Sequence, residues 1–299
     1  MSHGKVLCVG HAVQDFIFSV PEIPSTPEKH RAAAFASVGG GPAATAAVTV
    51  ARLGGHALLA ARIGADSVAA LIEAELLDYG VDCRYLRRFP GCASSVSAVF
   101  VDQRGERLIV NHLDRSIPAE ADWLPYLPAT GVQVVLADTR WPVGALAALE
   151  AARAAGLPAV LDADRPIPSD GALLRAATHV AFSQDALADY TGEPDPVRAL
   201  SMLGLDAWCC VTVGADGVHI LDAGRHQQVP GHRVPVVDTL GAGDVWHGAF
   251  ALALAEGQSE ADAVRFASAA AALKIQRPGG RAGAPTRTEL DAFLSSNPG

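Results

Sequence analysis

The stretch Asp238-Thr239-Leu240-Gly241-Ala242-Gly243-Asp244 sets two glycines around a small residue, closes with an acid, and runs into an uncharged apolar segment at 245–255. A Gly-Ala-Gly turn leaves backbone N–H groups unshielded, and a helix starting there adds unpaired donors and the positive end of its dipole. Gly241, Ala242 and Gly243 are therefore candidates for an anion hole. Asp244 is the residue out of place, because a carboxylate beside an anion site repels the anion unless it has a task. Taking a proton from an attacking hydroxyl is such a task. The combination points to phosphoryl transfer with Asp244 as general base.

Several elements must hold that loop. Residues 5–9 read as a buried parallel strand ending at Gly10, with Asp15 soon after. Residues 15–20 alternate weakly, Pro21, Pro24 and Pro27 bend the chain, and 31–38 is a second expected strand. Gly39-Gly40-Gly41-Pro42 opens a helix over 43–53 that Gly54-Gly55 stops. A strand at 57–62 and a helix at 67–79 begin an α/β alternation. It breaks at about 83–111, where 95–101 and 107–110 read as a hairpin. From Val132 the rhythm is regular, with strands expected at 132–137, 159–162, 179–182 and 208–213 and helices between them. A hairpin over 217–221 and 225–229 follows, then helices at 245–255, 260–275 and 287–294. The fold class is α/β, a central, mostly parallel sheet flanked by helices. The core is expected at 1–10, 38–82 and 112–299, with 11–37 and 83–111 pairing into a small β lid.

At 299 residues, half of them hydrophobic, the chain can bury a sizeable core and is not composed like a disordered one. A net charge of −9 without a long basic run argues against nucleic acid or an anionic membrane as partner. Only Lys5, Lys29 and Lys274 are lysines, a bias attributable to genome composition. Cys8, Cys83, Cys92, Cys209 and Cys210 show neither metal-ligand spacing nor a disulfide framework. Residues 6–9 are too short for a signal segment, and no apolar run reaches the roughly 18 residues that span a bilayer. A soluble, cytoplasmic protein is expected. His11, His112 and His247 lie near the site in sequence, but lacking a paired acid or second ligand they are expected to pack or hydrogen-bond.

Residues 238–244 resemble the second signature of the ribokinase (PfkB-type) family of sugar and nucleoside kinases, and Gly39-Gly40-Gly41-Pro42 with Ala51-Arg52-Leu53-Gly54 resembles the first. The resemblance runs from about Val6 to Phe293. It implies a ribokinase-like fold with a two-part lid and ATP and Mg²⁺ as cofactors, and it admits a monovalent cation. It also implies a catalytic aspartate at Asp244 beside the Gly241–Gly243 anion hole, and sugar contacts at Asp15, Gly40 and Gly41. The loop from Val211 to Gly217 resembles the family's nucleotide-phosphate loop, so Thr212, Gly214, Gly217, Asp238 and Thr239 are the expected nucleotide contacts. Two features depart from the family. The Asn of the first signature is replaced by Ala44 or Thr45. The Asn-x-x-Glu near the metal is Ser183-Gln184-Asp185-Ala186, which leaves Asp185 as the candidate replacement acid.

Arg140, in Ala137-Asp138-Thr139-Arg140-Trp141, sits where open α/β sheets place ligands, although an ion pair with Asp138 or another acid would also account for it. Lys29 taken alone reads as a solvated loop lysine. With Asn111 they resemble the branch of 6-deoxy-6-sulfofructose kinases, as do the runs from Val38, from Leu136 and from Arg277 to Gly283. That resemblance implies that Lys29, Asn111 and Arg140 hold the sulfonate while the 1-hydroxyl is phosphorylated. The physics supports an anionic tail more firmly than sulfonate, since two cations suit a phosphate dianion at least as well. A fructose-6-phosphate or tagatose-6-phosphate 1-kinase and a neutral-ketose kinase stay open. An NAD-type oxidoreductase would need G-x-G-x-x-G after the first strand, where the chain has Gly10-His11-Ala12-Val13-Gln14-Asp15. A non-catalytic sugar sensor would have no need of Asp244. Lid sheets with open edges commonly pair between protomers, so a homodimer through the lid is expected.

Overall fold

Val6-Leu7-Cys8-Val9 is apolar at every position, the pattern of a strand covered on both faces, and all four residues are buried. Val6 and Cys8 join one hydrophobic cluster, and Leu7 and Val9 another. The computed structural model describes residues 4–297. In chain order its strands are β1 (Lys5–Gly10), β2 (Val13–Ser19), β3 (Ala34–Gly40), β4 (His56–Gly64), β5 (Asp82–Phe89), β6 (Val96–Val101), β7 (Arg107–His112), β8 (Val134–Asp138), β9 (Ala159–Ala163), β10 (His179–Ser183), β11 (Trp208–Thr212), β12 (Val218–Asp222) and β13 (Arg225–Val229). The helices are α1 (Pro42–Arg52), α2 (Ser67–Asp78), α3 (Leu127–Thr130), α4 (Pro142–Ala154), α5 (Ala172–Ala176), α6 (Gln184–Thr191), α7 (Pro196–Met202), α8 (Ala242–Ala255), α9 (Glu260–Ile275) and α10 (Arg287–Ser296).

Nine strands form one sheet in the order β13-β12-β11-β10-β9-β8-β1-β4-β5, parallel except for the β12–β13 hairpin. Helices α1, α2, α8, α9 and α10 supply one apolar layer and α4 to α7 the other. The remaining four strands make a second sheet, β3-β2-β6-β7, so the two strand-rich insertions do pair. Their expected limits need correction. β5 was placed in the lid at 83–111, yet it runs parallel to β4 at the edge of the large sheet. Cys83 and Leu86 are buried in the core while Arg84, Arg87 and Arg88 face water, and those exposed arginines made the segment resemble part of the lid. The second insertion therefore begins after Phe89. β3 starts three residues later than expected and continues through Gly40. α8 starts at Ala242, which brings Asp244 inside its first turn.

The helix carrying Asp244 is held by close contact with α1. A Cβ on Gly248 would lie 2.5 Å from Ala46 O and 2.9 Å from its Cα, positions that backbone atoms cannot vacate. Gly248→Ala is expected to lower unfolding free energy by about 1–3 kcal/mol through overpacking, although alanine is the better helix former. Urea denaturation reads the effect, and a variant as stable as the parent would show that α1 and α8 do not depend on this contact.

Candidate active site

α8 begins abruptly. Gly241 is its N-cap in the left-handed conformation (φ 74°), which favours glycine. The N–H groups of Gly241, Gly243 and Asp244 have no partner among the described residues, whereas that of Ala242 bonds back to Thr239 O at 3.2 Å. Of the three donors expected in the anion hole, that of Ala242 is thus engaged, and the N–H of Asp244 is open as well. The glycine-rich start of α1 differs. There Ala43 N donates to Asp138 Oδ2 at 3.0 Å and Ala44 N to His11 O at 3.2 Å, so that helix end is already satisfied. Asp138 accepts from His11 N and Arg140 N as well, at 2.8 Å each. A Cβ on Gly10 would collide with this carboxylate, and one on Gly41 would lie 2.5 Å from His11 O.

Asp244 is half-buried among other acids. Its carboxyl is pushed up to about 7, first by burial and then by the charge of Asp162, with Asp138 and Asp164 adding and His247 opposing. Asp162 is buried, and burial with Asp138 and Asp164 nearby raises it well above the usual carboxylate range. Its Oδ1 has no partner, and its Oδ2 lies 3.4 Å from His247 Nδ1. His247 itself packs as expected, with Nδ1 2.8 Å from Gly243 O and Nε2 3.3 Å from Ala181 O.

Beside the first turn of α8 opens a cavity of about 760 Å³ whose lining includes Thr212, Gly214, Gly217, Thr239, Trp246 and Ser268. Four of the five expected nucleotide contacts thus share one mostly apolar cavity. Asp238 does not line it. Both of its oxygens are engaged, Oδ1 by Leu240 N and Arg107 Nη2, Oδ2 by Gly280 N and Lys274 Nζ. Arg107 belongs to β7, so Asp238 ties the small sheet to the glycine loop at 2.8 Å.

The small sheet contributes a row of polar side chains. Its register sets Asp15 opposite Ser97 and Ser97 opposite Asn111, so all three share one face. Asn111 Nδ2 donates to Ser97 Oγ at 3.2 Å, and Ser97 bonds Asp15. Burial raises Asp15 despite Ser97 and the nearby Arg281. Gly40 leaves room for the Asp15 carboxylate, and Gly39 for the guanidinium of buried Arg281. The chain after β8 places Arg140 near His11, which lies just past β1. Burial, Arg140 and Arg62 together push the His11 imidazole down to about 4. Arg140 also pairs loosely with Asp164, at 3.6 Å. Lys29 stands on the exposed loop between β2 and β3 and bonds to neither Asn111 nor Arg140. Among the described residues no hydrogen bond or ion pair links the expected trio, while Ser97 and Arg62, and Arg281 from the run at 277–283, stand near Asp15 and His11 without having been expected as site residues.

The profile of the pfkB family of carbohydrate kinases matches residues 3–287. The chain belongs to that family. It is an ATP-dependent sugar kinase, and its large parallel sheet with a smaller second sheet is the ribokinase-like fold. A provisionally named ribokinase from Agrobacterium tumefaciens superposes with a TM-score of 0.92 at 37% identity, over 99% of this chain and 98% of its own. A ribokinase of Haemophilus influenzae is 27% identical over 97% of this chain and 98% of its own. An ATP-dependent ribose-1-phosphate kinase of Halopiger xanaduensis is 29% identical over the same shares.

The Mg²⁺ that the family implies has no ready-made cage, since among the described residues no group of three or more His, Cys, Asp or Glu side chains could hold a metal ion. That suits Mg²⁺, which keeps most of its waters and leans on nucleotide phosphates. Asp164, half-exposed and oriented by Ser183 Oγ at 2.8 Å, fits the water shell. Asp185 does not, because it is exposed and paired with Arg165. Ser183 meanwhile caps α6.

Among these charges, Asp162 does most to raise Asp244. Asp162→Asn is expected to bring Asp244 down from about 7 toward the ordinary carboxylate range, read by pH titration of carboxyl carbon resonances in the free protein. An unmoved value would assign the shift to burial together with Asp138 and Asp164.

Proposed function

We propose that this kinase phosphorylates the 1-hydroxyl of an anionic ketose, with 6-deoxy-6-sulfofructose as the acceptor. The observation that carries the anionic reading is the pair of arginines, Arg140 and Arg62, flanking His11 at the C-terminal edge of the large sheet. A neutral His11 beside two guanidinium groups, which Asp138 and Asp164 offset in part, leaves cationic donors where open α/β sheets bind ligands. The ribose-1-phosphate kinase relative acts, by its name, on a sugar that already carries a charge. The choice of sulfonate rests on the resemblance at Lys29, Asn111 and Arg140. One observation favours a second reading, a neutral sugar such as ribose: Arg140 already has Asp164 as a partner, and relatives carry the name ribokinase.

In the proposed mechanism Asp15 and Asn111 hold sugar hydroxyls from the small sheet, and the acceptor hydroxyl gives its proton to the Asp244 carboxylate. A base with a value near 7 is matched to neutral pH, and such catalysis contributes typically about 10²–10⁴-fold. The open N–H groups of Gly241, Gly243 and Asp244 meet the charge that develops on the moving phosphoryl group. The apolar cavity beside α8 receives the nucleotide. Bound Mg²⁺ would neutralise charge on the nucleotide phosphates, with Asp164 positioned toward its waters. Since Asp244 works deprotonated, kcat/KM of the free enzyme falls as pH drops through about 7 and levels off above it. An enzyme using ATP with five free cysteines is assigned to the cytoplasm.

Initial rates with 6-deoxy-6-sulfofructose, fructose-6-phosphate, fructose and ribose test the substrate. The sulfonated sugar is expected to have the highest kcat/KM, and Arg140→Ala to raise KM for the anionic sugars while sparing the neutral ones. Asp244→Asn is expected to lose about 10²–10⁴-fold or more in kcat while still binding sugar and ATP. Ribose as the best acceptor, indifferent to Arg140, would sink the anionic reading. Near-parental turnover in the Asn variant would remove Asp244 from the mechanism.

The proposed homodimer rests on β7, where Leu108, Ile109 and Val110 are exposed together with Phe35 of β3. An edge strand with three apolar residues in water invites pairing. Light scattering is expected to give a dimer for the parent and a monomer for Val110→Lys, whereas a monomeric parent ends the proposal.

A further inference from the structure

Lys274 is one of three lysines in a chain with 23 basic residues, and its side chain is fully buried. Full burial is rare for lysine unless the charge is paired. Its ammonium sits at the back of the glycine loop, 2.7 Å from Asp238 O and 3.2 Å from Asp238 Oδ2. Main-chain bonds from Val237 N and Asp238 N to Ile275 O, at 2.7 and 3.0 Å, lock the same corner of α9 to the loop. Asp238 in turn receives Leu240 N and Gly280 N, at 2.9 and 3.0 Å, and Arg107 from the small sheet. The negative charge of Asp244 also reaches Lys274.

A carbonyl and a carboxylate oxygen converging on one buried point are hard donors of the kind that hold a monovalent cation. Here the point is filled by the compact charge of an ammonium, and the other oxygen of Asp238 is occupied by N–H donors. The family resemblance admits a monovalent ion, and at Asp238 the residues present do not fit one. We propose that the Lys274 ammonium is the resident cation of this loop. It is a positioning residue that holds Asp238 and thereby the Gly241–Asp244 turn, and it makes turnover independent of added monovalent ions. The role rests on the reading of that turn as the anion hole.

The test uses the purified full chain with Mg-ATP, at an ionic strength of about 0.15 M set by potassium, sodium or tetramethylammonium chloride. The parent enzyme is expected to turn over its best sugar at rates within about twofold across the three salts. Lys274→Ala and Lys274→Met are expected to lose at least about tenfold in kcat, as a displaced catalytic turn would, with a smaller change in sugar KM. Potassium or methylammonium, but not tetramethylammonium, is expected to restore part of the loss in the alanine variant. Strong stimulation of the parent by potassium overturns the proposal, as does a loss in the variants that no small cation reverses. Should neither variant fold, the salt series on the parent decides. Should no sugar be turned over, ATP affinity by calorimetry in the same salts gives the answer, so failure of the substrate reading leaves this one testable.

Discussion

The site is built around an electrostatic conflict: Asp138, Asp162, Asp164 and Asp244 crowd one edge of the sheet that must also receive a polyanion. Two like charges about 4 Å apart at an effective dielectric near 20 repel by roughly 4 kcal/mol. Each acid meets the conflict in its own way. Asp138 is answered by three backbone N–H groups, two of them where β1 and β8 end and the third at the start of α1. Asp162 is raised so far that it holds its proton more tightly than an ordinary carboxyl. Asp164 meets Ser183 and Arg140. Asp244 has no such partner, and the result is a carboxyl poised near neutrality. An acid left without compensation is a cost to folding and suits the proposed role of Asp244 as a base.

The same conflict explains why two similar glycine-rich helix starts do different work. At α1 the available donors are taken by Asp138 and His11, and the glycines serve close approach instead. At α8 no side chain caps the helix, and three donors stay open beside Asp244. Keeping a loop open in this way requires support from behind. Lys274 and Asp238 supply it from the buried side, and Arg107 extends it to the small sheet. Breaking a buried pair by removing one partner costs about 3–5 kcal/mol, so this corner is among the least replaceable in the chain.

Periodicity made the α/β alternation legible, because strands buried on both faces are short and wholly apolar while their helices carry capping residues and stops. β5 was misplaced because its exposed arginines, unlike the wholly apolar central strands, gave it the look of a strand outside the core. At the site, the motif at 238–244 was readable, but the division of labour within it was not. Which N–H groups stay open depends on the bond from Ala242 to Thr239, and which acid binds the loop together depends on α9 and β7. Ser97 and Arg62 carry no motif, Arg281 counted only as part of the run at 277–283, and it is the fold that brings them near Asp15 and His11. Lys274 did leave a trace, as a lysine in an arginine-rich chain, but composition cannot say that the side chain is buried.

The substrate question comes down to what Arg140 gives up. Its pair with Asp164 is 3.6 Å long, and both side chains are more than a third exposed. Such pairs are worth about 0–1 kcal/mol. A neutral sugar can bind without disturbing the pair, so Arg140 does not penalise it. An anionic tail must draw Arg140 away, but it surrenders little in exchange for a charge-assisted hydrogen bond worth roughly twice a neutral one. Arg140 can therefore favour an anion but cannot exclude a neutral sugar. Exclusion would have to come from groups that lose hydrogen bonds when the tail is missing, and the exposed Lys29 is not yet such a group. Discrimination by gain alone predicts a kinase that prefers a charged ketose and still tolerates neutral ones.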